Sequence, residues 1–296
     1  IHDSEDIALA DFDKDGDIDI VFVSEDDRVH EYYLNDGKGF FTDNSLKIPV
    51  LSTCNAVDAA DFDHDGDIDL ILGNDGQDFF LLNDGKGNFT DETQSRMPVD
   101  YTVTQDVQSA DLDGDGDLDL VMGNENGNRM YLNDGKGRFT NNTEGRLPVA
   151  NEETRKADLA DIDGDGDIDI FFSNVDFGKQ KDKSNRILIN NGKGFFTDET
   201  SKRFKALNDM HTADIEFADM NGDNYPDMLI GNVFGGYIQV CINDGKGNFT
   251  EISDTAFTSR IRGEAISVQV ADVNKDGKKD VYLGMFRSAD MLLLGR

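Results

Sequence analysis

The sequence predicts an all-β chain: a β-propeller of four-stranded antiparallel blades, six-bladed by the count of its repeats. Three observations predict it. A nine-residue acidic pattern, D-x-D/N-x-D-x-x-x-D, begins at Asp11, Asp61, Asp111, Asp161, Asp219 and Asp272, at intervals of 50, 50, 50, 58 and 53 residues. A second pattern, N-D/N-G-K-G-x-F-T, follows the first five copies from Asn35, Asn83, Asn133, Asn190 and Asn243. Between the patterns stand short apolar runs with strand-like alternation, almost no helical stretch, and only four prolines.

The second unit shows each element in order. Val57-Asp58-Ala59-Ala60 leads into the acidic pattern as a first strand, and Ile68-Asp69-Leu70-Ile71-Leu72 leaves it as a second. Phe79-Phe80-Leu81-Leu82 is the third, Asp84-Gly85 a hairpin turn, and Phe89-Thr90 the fourth. Asp-Gly between apolar runs marks a hairpin because glycine accepts the positive φ of a tight turn. A lone four-stranded sheet cannot bury both faces, so blades must stack. No linker separates the units, and the predicted domain is residues 1–296. The sixth unit reaches Leu294, where its second pattern would start, so it lacks a fourth strand. A seven-bladed parent is the alternative this leaves open.

Composition excludes several function classes. With 61 acidic and 28 basic residues the net charge is −33, which repels nucleic acid and anionic membranes. No apolar run approaches the roughly 18 residues that span a bilayer, so no membrane insertion is expected. The opening IHDSEDIALADFD has no signal-peptide pattern. Hydrophobic residues make up 37% with 20 Phe, which argues for a packed core rather than disorder.

The acidic loops are read as metal sites. Position 1 is Asp11, Asp61, Asp111, Asp161, Asp219 and Asp272; position 3 is Asp13, Asp63, Asp113, Asp163, Asn221 and Asn274. Position 5 is Asp15, Asp65, Asp115, Asp165, Asp223 and Asp276; position 9 is Asp19, Asp69, Asp119, Asp169, Asp227 and Asp280. Carboxylates crowded this closely repel one another unless a cation sits between them. Position 7 (Asp17, Asp67, Asp117, Asp167, Tyr225 and Lys278) would offer its backbone carbonyl. An all-oxygen set of flexible carboxylates suits Ca²⁺ better than Mg²⁺ or Zn²⁺, giving up to six ions, one per unit. An EF-hand would need Glu at position 12, where this chain has Phe22, Leu72, Met122, Phe172, Ile230 and Leu283. Six repeats of one self-contained loop indicate ions that support the fold, since a catalytic metal is normally singular and keeps an open position.

With ADFDKDGDIDI, ADFDHDGDIDL, ADLDGDGDLDL, ADIDGDGDIDI, ADMNGDNYPDM and ADVNKDGKKDV and the NDGKGxFT turns, the chain resembles the FG-GAP/VCBS repeats, the calcium-bearing blades also seen in integrin α-chain propellers. The resemblance covers nearly the whole chain. It implies one Ca²⁺ per blade on positions 1, 3, 5 and 9 and the position-7 carbonyl. The fifth and sixth copies depart from it, with Asn221 and Asn274 at position 3, Pro226 in the fifth and Lys278-Lys279 in the sixth. Fewer anionic ligands and nearby cations should weaken these two sites.

Function is expected where the repeats differ. The fourth unit carries an insertion of about seven residues within Asn174–Asn185, with Phe177, Lys179, Lys181 and Lys183, a candidate partner loop. Three residues before each acidic loop stand Ala8, Asp58, Gln108, Asp158, Glu216 and Gln269. Asp58, Asp158 and Glu216 are candidate ligand groups on a channel wall. Of the four histidines, His2 is terminal, His64 lies in an acidic loop, and His30 (beside Tyr32 and Tyr33) and His211 are the acid–base candidates. Arg129 and Arg186 occupy equivalent places, which suggests structural roles, and Cys54 and Cys241 read as small apolar fillers rather than a disulfide pair. No nucleotide-binding or hydrolase motif is present. The expectation is a calcium-binding binding or adhesion module for a glycan or a protein surface, in the extracellular, cell-surface or periplasmic space where weak calcium sites fill. The alternatives are a lyase-like polysaccharide-active enzyme or its accessory domain, and a structural spacer.

Overall fold

Each acidic loop joins two antiparallel strands, and this hairpin seeds every blade. The computed structural model describes residues 4–26, 28–205, 208–257 and 259–295. The first blade is a meander of β1 (Asp6–Ala10), β2 (Asp19–Val23), β3 (Glu31–Asn35) and β4 (Phe41–Asp43). The second has β5 (Cys54–Ala60), β6 (Asp69–Asn74), β7 (Phe79–Asn83) and β8 (Phe89–Asp91), followed by a one-turn helix α1 (Thr93–Arg96). The third has β9 (Thr104–Ala110), β10 (Asp119–Asn124), β11 (Arg129–Asn133) and β12 (Phe139–Asn141).

The fourth blade has β13 (Thr154–Ala160), β14 (Asp169–Asn174), β15 (Arg186–Ile189) and β16 (Thr197–Asp198), then helix α2 (Thr200–Arg203). The fifth has β17 (His211–Ala218), β18 (Asp227–Val233), β19 (Gln239–Asn243) and β20 (Phe249–Glu251), then α3 (Ser253–Ala256). The sixth has three strands, β21 (Ala265–Ala271), β22 (Asp280–Met285) and β23 (Met291–Leu293). The fold is therefore the all-β, six-bladed β-propeller, and the short sixth blade matches the reading of its sequence. The chain divides into two compact units, Ile1–Arg146 and Leu147–Arg296, of three blades each.

The second strand of a blade is the most buried. β6, β10 and β14 are buried along their whole length, as a strand covered on both faces should be. Position 2 of the acidic loop plugs the gap to the next blade. Phe12 packs edge-on against Tyr32 of its own blade and Phe89 of the next, with ring centroids 5.7 Å apart in both cases. Phe62 repeats this against Phe80 and Phe139, at 6.0 and 5.9 Å. In the second unit Ile162 joins Phe171, Phe204 and Phe249 in the same kind of cluster.

Backbone polar groups at these junctions are also met across the blades. In three blades the Asn that opens the turn donates Nδ2–H to the position-2 carbonyl of the preceding loop: Asn83 to Phe12 at 2.8 Å, Asn133 to Phe62 at 2.8 Å, and Asn243 to Ile162 at 2.9 Å. First-strand carboxylates add a second tie, with Asp6 accepting the N–H of Val57, Asp158 that of Phe217, and Asp214 that of Val268.

Phe62→Ala removes a fully buried ring from this junction and leaves a cavity. Urea unfolding should show a loss of about 3–5 kcal/mol. Truncating the half-exposed Phe41 should change stability by no more than about 0.5 kcal/mol.

Candidate metal centres

Within each loop the position-1 aspartate is a hub. Asp11 accepts the N–H of Asp15 and Gly16 at 3.1 and 2.9 Å, and Asp161 accepts those of Asp165 and Gly166, both at 3.1 Å. The position-5 carboxylate accepts the position-7 N–H, as from Asp17 to Asp15 at 3.0 Å and from Asp67 to Asp65 at 2.8 Å. These bonds curl the loop so that its side chains converge.

Carboxylate oxygens from Asp11, Asp13 and Asp15 lie within 4.8 Å of one another, as do those of Asp61, Asp63 and Asp65 and those of Asp111, Asp113 and Asp115. In the fourth loop the converging set is Asp161, Asp163 and Asp169. These four groups could hold a metal ion, and their donors are the hard oxygens that calcium takes. The hydrogen bonding fits a cation. Asp61 Oδ1, Asp113 Oδ1 and Asp163 Oδ1 are buried without a hydrogen-bond partner, a costly state for a carboxylate oxygen. Burial, then the neighbouring Asp115 or Asp165, holds Asp113 and Asp163 above the usual carboxylate range.

Position 9 has a further task that the sequence reading did not assign. In every loop but the second, one oxygen accepts the N–H of position 2 and the other the N–H of the residue opening the turn; Asp69 takes only the Asn83 N–H, at 2.8 Å, and its Oδ2 is buried without a partner. Asp19 takes Phe12 and Asn35 at 3.0 and 2.8 Å, Asp119 takes Leu112 and Asn133 at 3.1 and 2.9 Å, and Asp169 takes Ile162 and Asn190 at 2.9 and 2.8 Å. In the sixth blade Gly295 supplies the second N–H to Asp280 at 2.8 Å. The carboxylate thus clamps loop to turn. Position 7 packs beside that turn: a Cβ on Gly37, Gly85, Gly135 or Gly192 would collide with the carboxylate of Asp17, Asp67, Asp117 or Asp167. Those glycines also sit at positive φ, so two requirements meet in one residue.

The fifth and sixth loops solve their crowding internally. Asn221 Nδ2 donates to Asp223 at 2.9 Å, and Asn274 Nδ2 donates to Asp276 at 3.2 Å. The amide donor there occupies a carboxylate oxygen that a cation would otherwise take. Position 4 adds links between successive loops, through the Lys14–Asp67 ion pair and His64 Nε2 with Asp117 at 2.9 Å.

The other candidates separate into engaged and exposed groups. His30 is buried: its Nδ1 accepts the Ser24 N–H at 3.4 Å and its Nε2 contacts Ser52 Oγ at 3.0 Å. It is the first-blade version of a turn acceptor filled elsewhere by Asp78, Asn128, Asn185 and Asp290, which take the N–H of Asn74, Asn124, Asn174 and Met285. That placement gives His30 a structural task in place of the acid–base one. His2 lies outside the described residues. Asp58 accepts the N–H of Ala59, Asp158 ties to Phe217, and Glu216 accepts from Gln269 Nε2 at 3.3 Å. Arg186 is buried between Glu152 and Asp198, and Arg129 pairs with Asp100 at 2.6 Å, so both are structural. Cys54 and Cys241 are free and buried, and burial pushes the Cys54 thiol up to about 12.

On the insertion, Lys179 reaches the buried Glu153 at 3.3 Å, Lys183 pairs with Asp209 at 3.1 Å, and Lys181 is half-buried. Phe177 is half-exposed and meets Phe234, from the corresponding loop of the fifth blade, edge-on at 5.5 Å. His211 packs against Phe234 at 5.1 Å, accepts the Asp176 N–H at 3.1 Å, and is held below the usual imidazole range by burial and then Lys183. The Arg155 guanidinium lies 5.7 Å from the centre of the Phe177 ring. Sequence reading missed Phe234, which a comparison of the loops after the second strands would have found. It also missed a cation returning to position 3 (Arg96, Arg146 and Arg203), although each stands thirteen residues after the turn asparagine.

A model of the FG-GAP-like repeat matches residues 11–72, 61–122, 111–172, 174–230 and 219–283. No curated protein matches the chain in a sequence search. Among solved structures, an Agrocybe aegerita lectin described for recognition of non-reducing terminal N-acetylglucosamine is similar over 94% of this chain and 73% of its own, at 20% identity and a TM-score of 0.55. The V. cholerae biofilm matrix protein Bap1 is similar over 92% of this chain and 42% of its own, at 15% identity and a TM-score of 0.49. An ancestral GH74 enzyme is similar over 93% of this chain and 37% of its own, at 12% identity and a TM-score of 0.51. At these identities the lectin and the GH74 enzyme speak for the fold alone.

Burial, opposed by backbone hydrogen bonds, holds Asp69, Asp119 and Asp169 up at about 7 in the metal-free chain. A carboxyl raised on folding gives stability that is complete below its unfolded value and is lost as pH rises through its folded value. EGTA-treated protein should therefore melt about 5 °C lower at pH 8 than at pH 5 by circular dichroism. Excess calcium at pH 8 should reverse the loss, since ion binding strengthens as the ligands deprotonate.

Proposed function

Because the chain belongs to the FG-GAP-like repeat family, we propose that it is a calcium-stapled binding module of the extracellular, cell-surface or periplasmic space, and that its ligand is a glycan. The ions are structural. They occupy the four aspartate clusters, and the fifth and sixth loops bind more weakly. Calcium sites of this kind fill where the ion is millimolar, which supports a location outside the cytosol.

The observation that carries the glycan reading is the Phe177–Phe234 pair. Two aromatic rings stand half-exposed and edge-on, braced by His211, with a guanidinium beside them. Exposed aromatic faces stack on the C–H faces of a pyranose ring, and bracing lowers the ordering cost of binding. Arg155 would serve a hydroxyl or carboxylate of the sugar. The lectin among the similar structures recognises a terminal sugar, which makes glycans the first class to screen. The lyase alternative receives no support from His30, whose two ring nitrogens are occupied inside the first blade.

A glycan array probed with the calcium-loaded protein tests this. Phe177→Ala and Phe234→Ala should each weaken binding of the retained glycan about tenfold, with the melting temperature in calcium unchanged, since each ring is worth about 1 kcal/mol or more. An array on which the wild-type protein retains nothing, or binding indifferent to both substitutions, would defeat the proposal.

A further inference from the structure

The acidic loops have an outer partner supplied by their own blade. Arg96, at the end of α1, places Nη1 3.1 Å from Asp63 Oδ2 and donates from the same nitrogen to the carbonyl of Lys136 at 2.6 Å. In the other unit Arg203, at the end of α2, donates Nη2 to Asp163 Oδ2 at 2.8 Å and Nη1 to the carbonyl of Lys246. Each aspartate is position 3 of its loop, and each carbonyl belongs to the turn of the following blade. Arg146 repeats the approach at longer range, 3.9 Å from Asp113.

The arrangement is built in. A Cβ on Gly137 would collide with Arg96 Nη1 and crowd Asp63, and one on Gly247 would do the same to Arg203 and Asp163. The guanidinium of Arg96 also rests over Phe80, 5.0 Å from the ring centre. At the first loop the corresponding glycine, Gly87, meets the phenol of Tyr32, and it is Lys47 Nζ that reaches the turn carbonyl, that of Lys86, at 3.4 Å. In the second blade the junction opens as a hollow of about 500 Å³ lined by Asp63, Asp65, Arg96, Asp134, Lys136 and Arg138.

The two carboxylate oxygens of Asp163 are thereby given different work, while Asp63 Oδ1 accepts the N–H of Asp65 at 3.3 Å. Arg203 holds Asp163 Oδ2, and Asp163 Oδ1 is buried with no hydrogen-bond partner. Asp113 Oδ1 is in the same state. A carboxylate fixed through one oxygen keeps the other for a cation. Groups that orient a metal ligand from outside typically contribute 10- to 100-fold in metal affinity. A guanidinium near a site also repels a dication, but four carboxylates leave the loop anionic after both charges are counted. Orientation then outweighs repulsion.

We propose that Arg96, Arg146 and Arg203 are positioning residues for calcium in the second, third and fourth loops. Through Arg96 and Arg203 the site of one blade is completed by the turn of the next. This rests on reading the loops as calcium sites.

The test is calorimetric titration of calcium into the EGTA-stripped full chain. Arg96→Met keeps the aliphatic stem over Phe80 and removes the fork. It should weaken one binding step at least tenfold, and Arg203→Met should weaken another. The double variant should weaken both, with the remaining steps unchanged. Arg96→Lys, which keeps the charge and a donor, should recover part of the loss. Circular dichroism in EGTA confirms that each variant is folded, and a purely architectural arginine would lower the melt while leaving the isotherm in place. An isotherm unchanged in both Met variants, or tightened, overturns the proposal. A wild-type chain that takes up no calcium removes the reading beneath it instead.

Discussion

The structure turns on the mutual repulsion of aspartates crowded into nine residues. With oxygens within 4.8 Å, the full charges oppose folding, most where burial limits screening by solvent. The chain answers with three devices of different reach. Backbone N–H groups of the loop and the turn bond to the position-1, position-5 and position-9 carboxylates. Cationic side chains, Arg96, Arg203 and Lys14 among them, approach from outside. The oxygens left over, such as Asp61 Oδ1, are those a divalent ion would take.

The same loops also set how blades meet. Position 2 faces away from the carboxylates and fills the junction with an aromatic or aliphatic side chain, while its carbonyl is held by the turn asparagine of the next blade. Electrostatics and core packing are therefore linked along a few residues of backbone. A disturbance of loop geometry reaches the Phe12–Phe89 and Phe62–Phe139 contacts without passing through any other element. This is why an ion bound at the rim can contribute to the stability of the interior.

Much of this was legible in the residues. The repeat interval, the strand alternation and the Asp-Gly turns are local signals, and blades obey local signals because each sheet is a consecutive meander. The convergence of Asp11, Asp13 and Asp15 followed from spacing alone. Other features were hidden because they depend on side chains meeting across blades. Nothing in the six residues from Arg28 to Tyr33 tells a buried turn acceptor from a proton-transfer histidine; the fact that decides is His30 meeting Ser24 and Ser52. Likewise nothing near Asp158 in the sequence shows that it accepts the N–H of Phe217, 59 residues onward.

The asparagine bond between blades has a direction. It spans 71 residues from Phe12 to Asn83, 71 from Phe62 to Asn133 and 81 from Ile162 to Asn243, and the donor is always the later residue. On the ribosome, a loop emerges well before the amide that will secure it. At these three junctions a blade must wait for its successor, so the packing between them trails synthesis by about one and a half repeats. A pause or truncation within that interval would leave the newest loop as the exposed, aromatic-bearing end of the nascent chain.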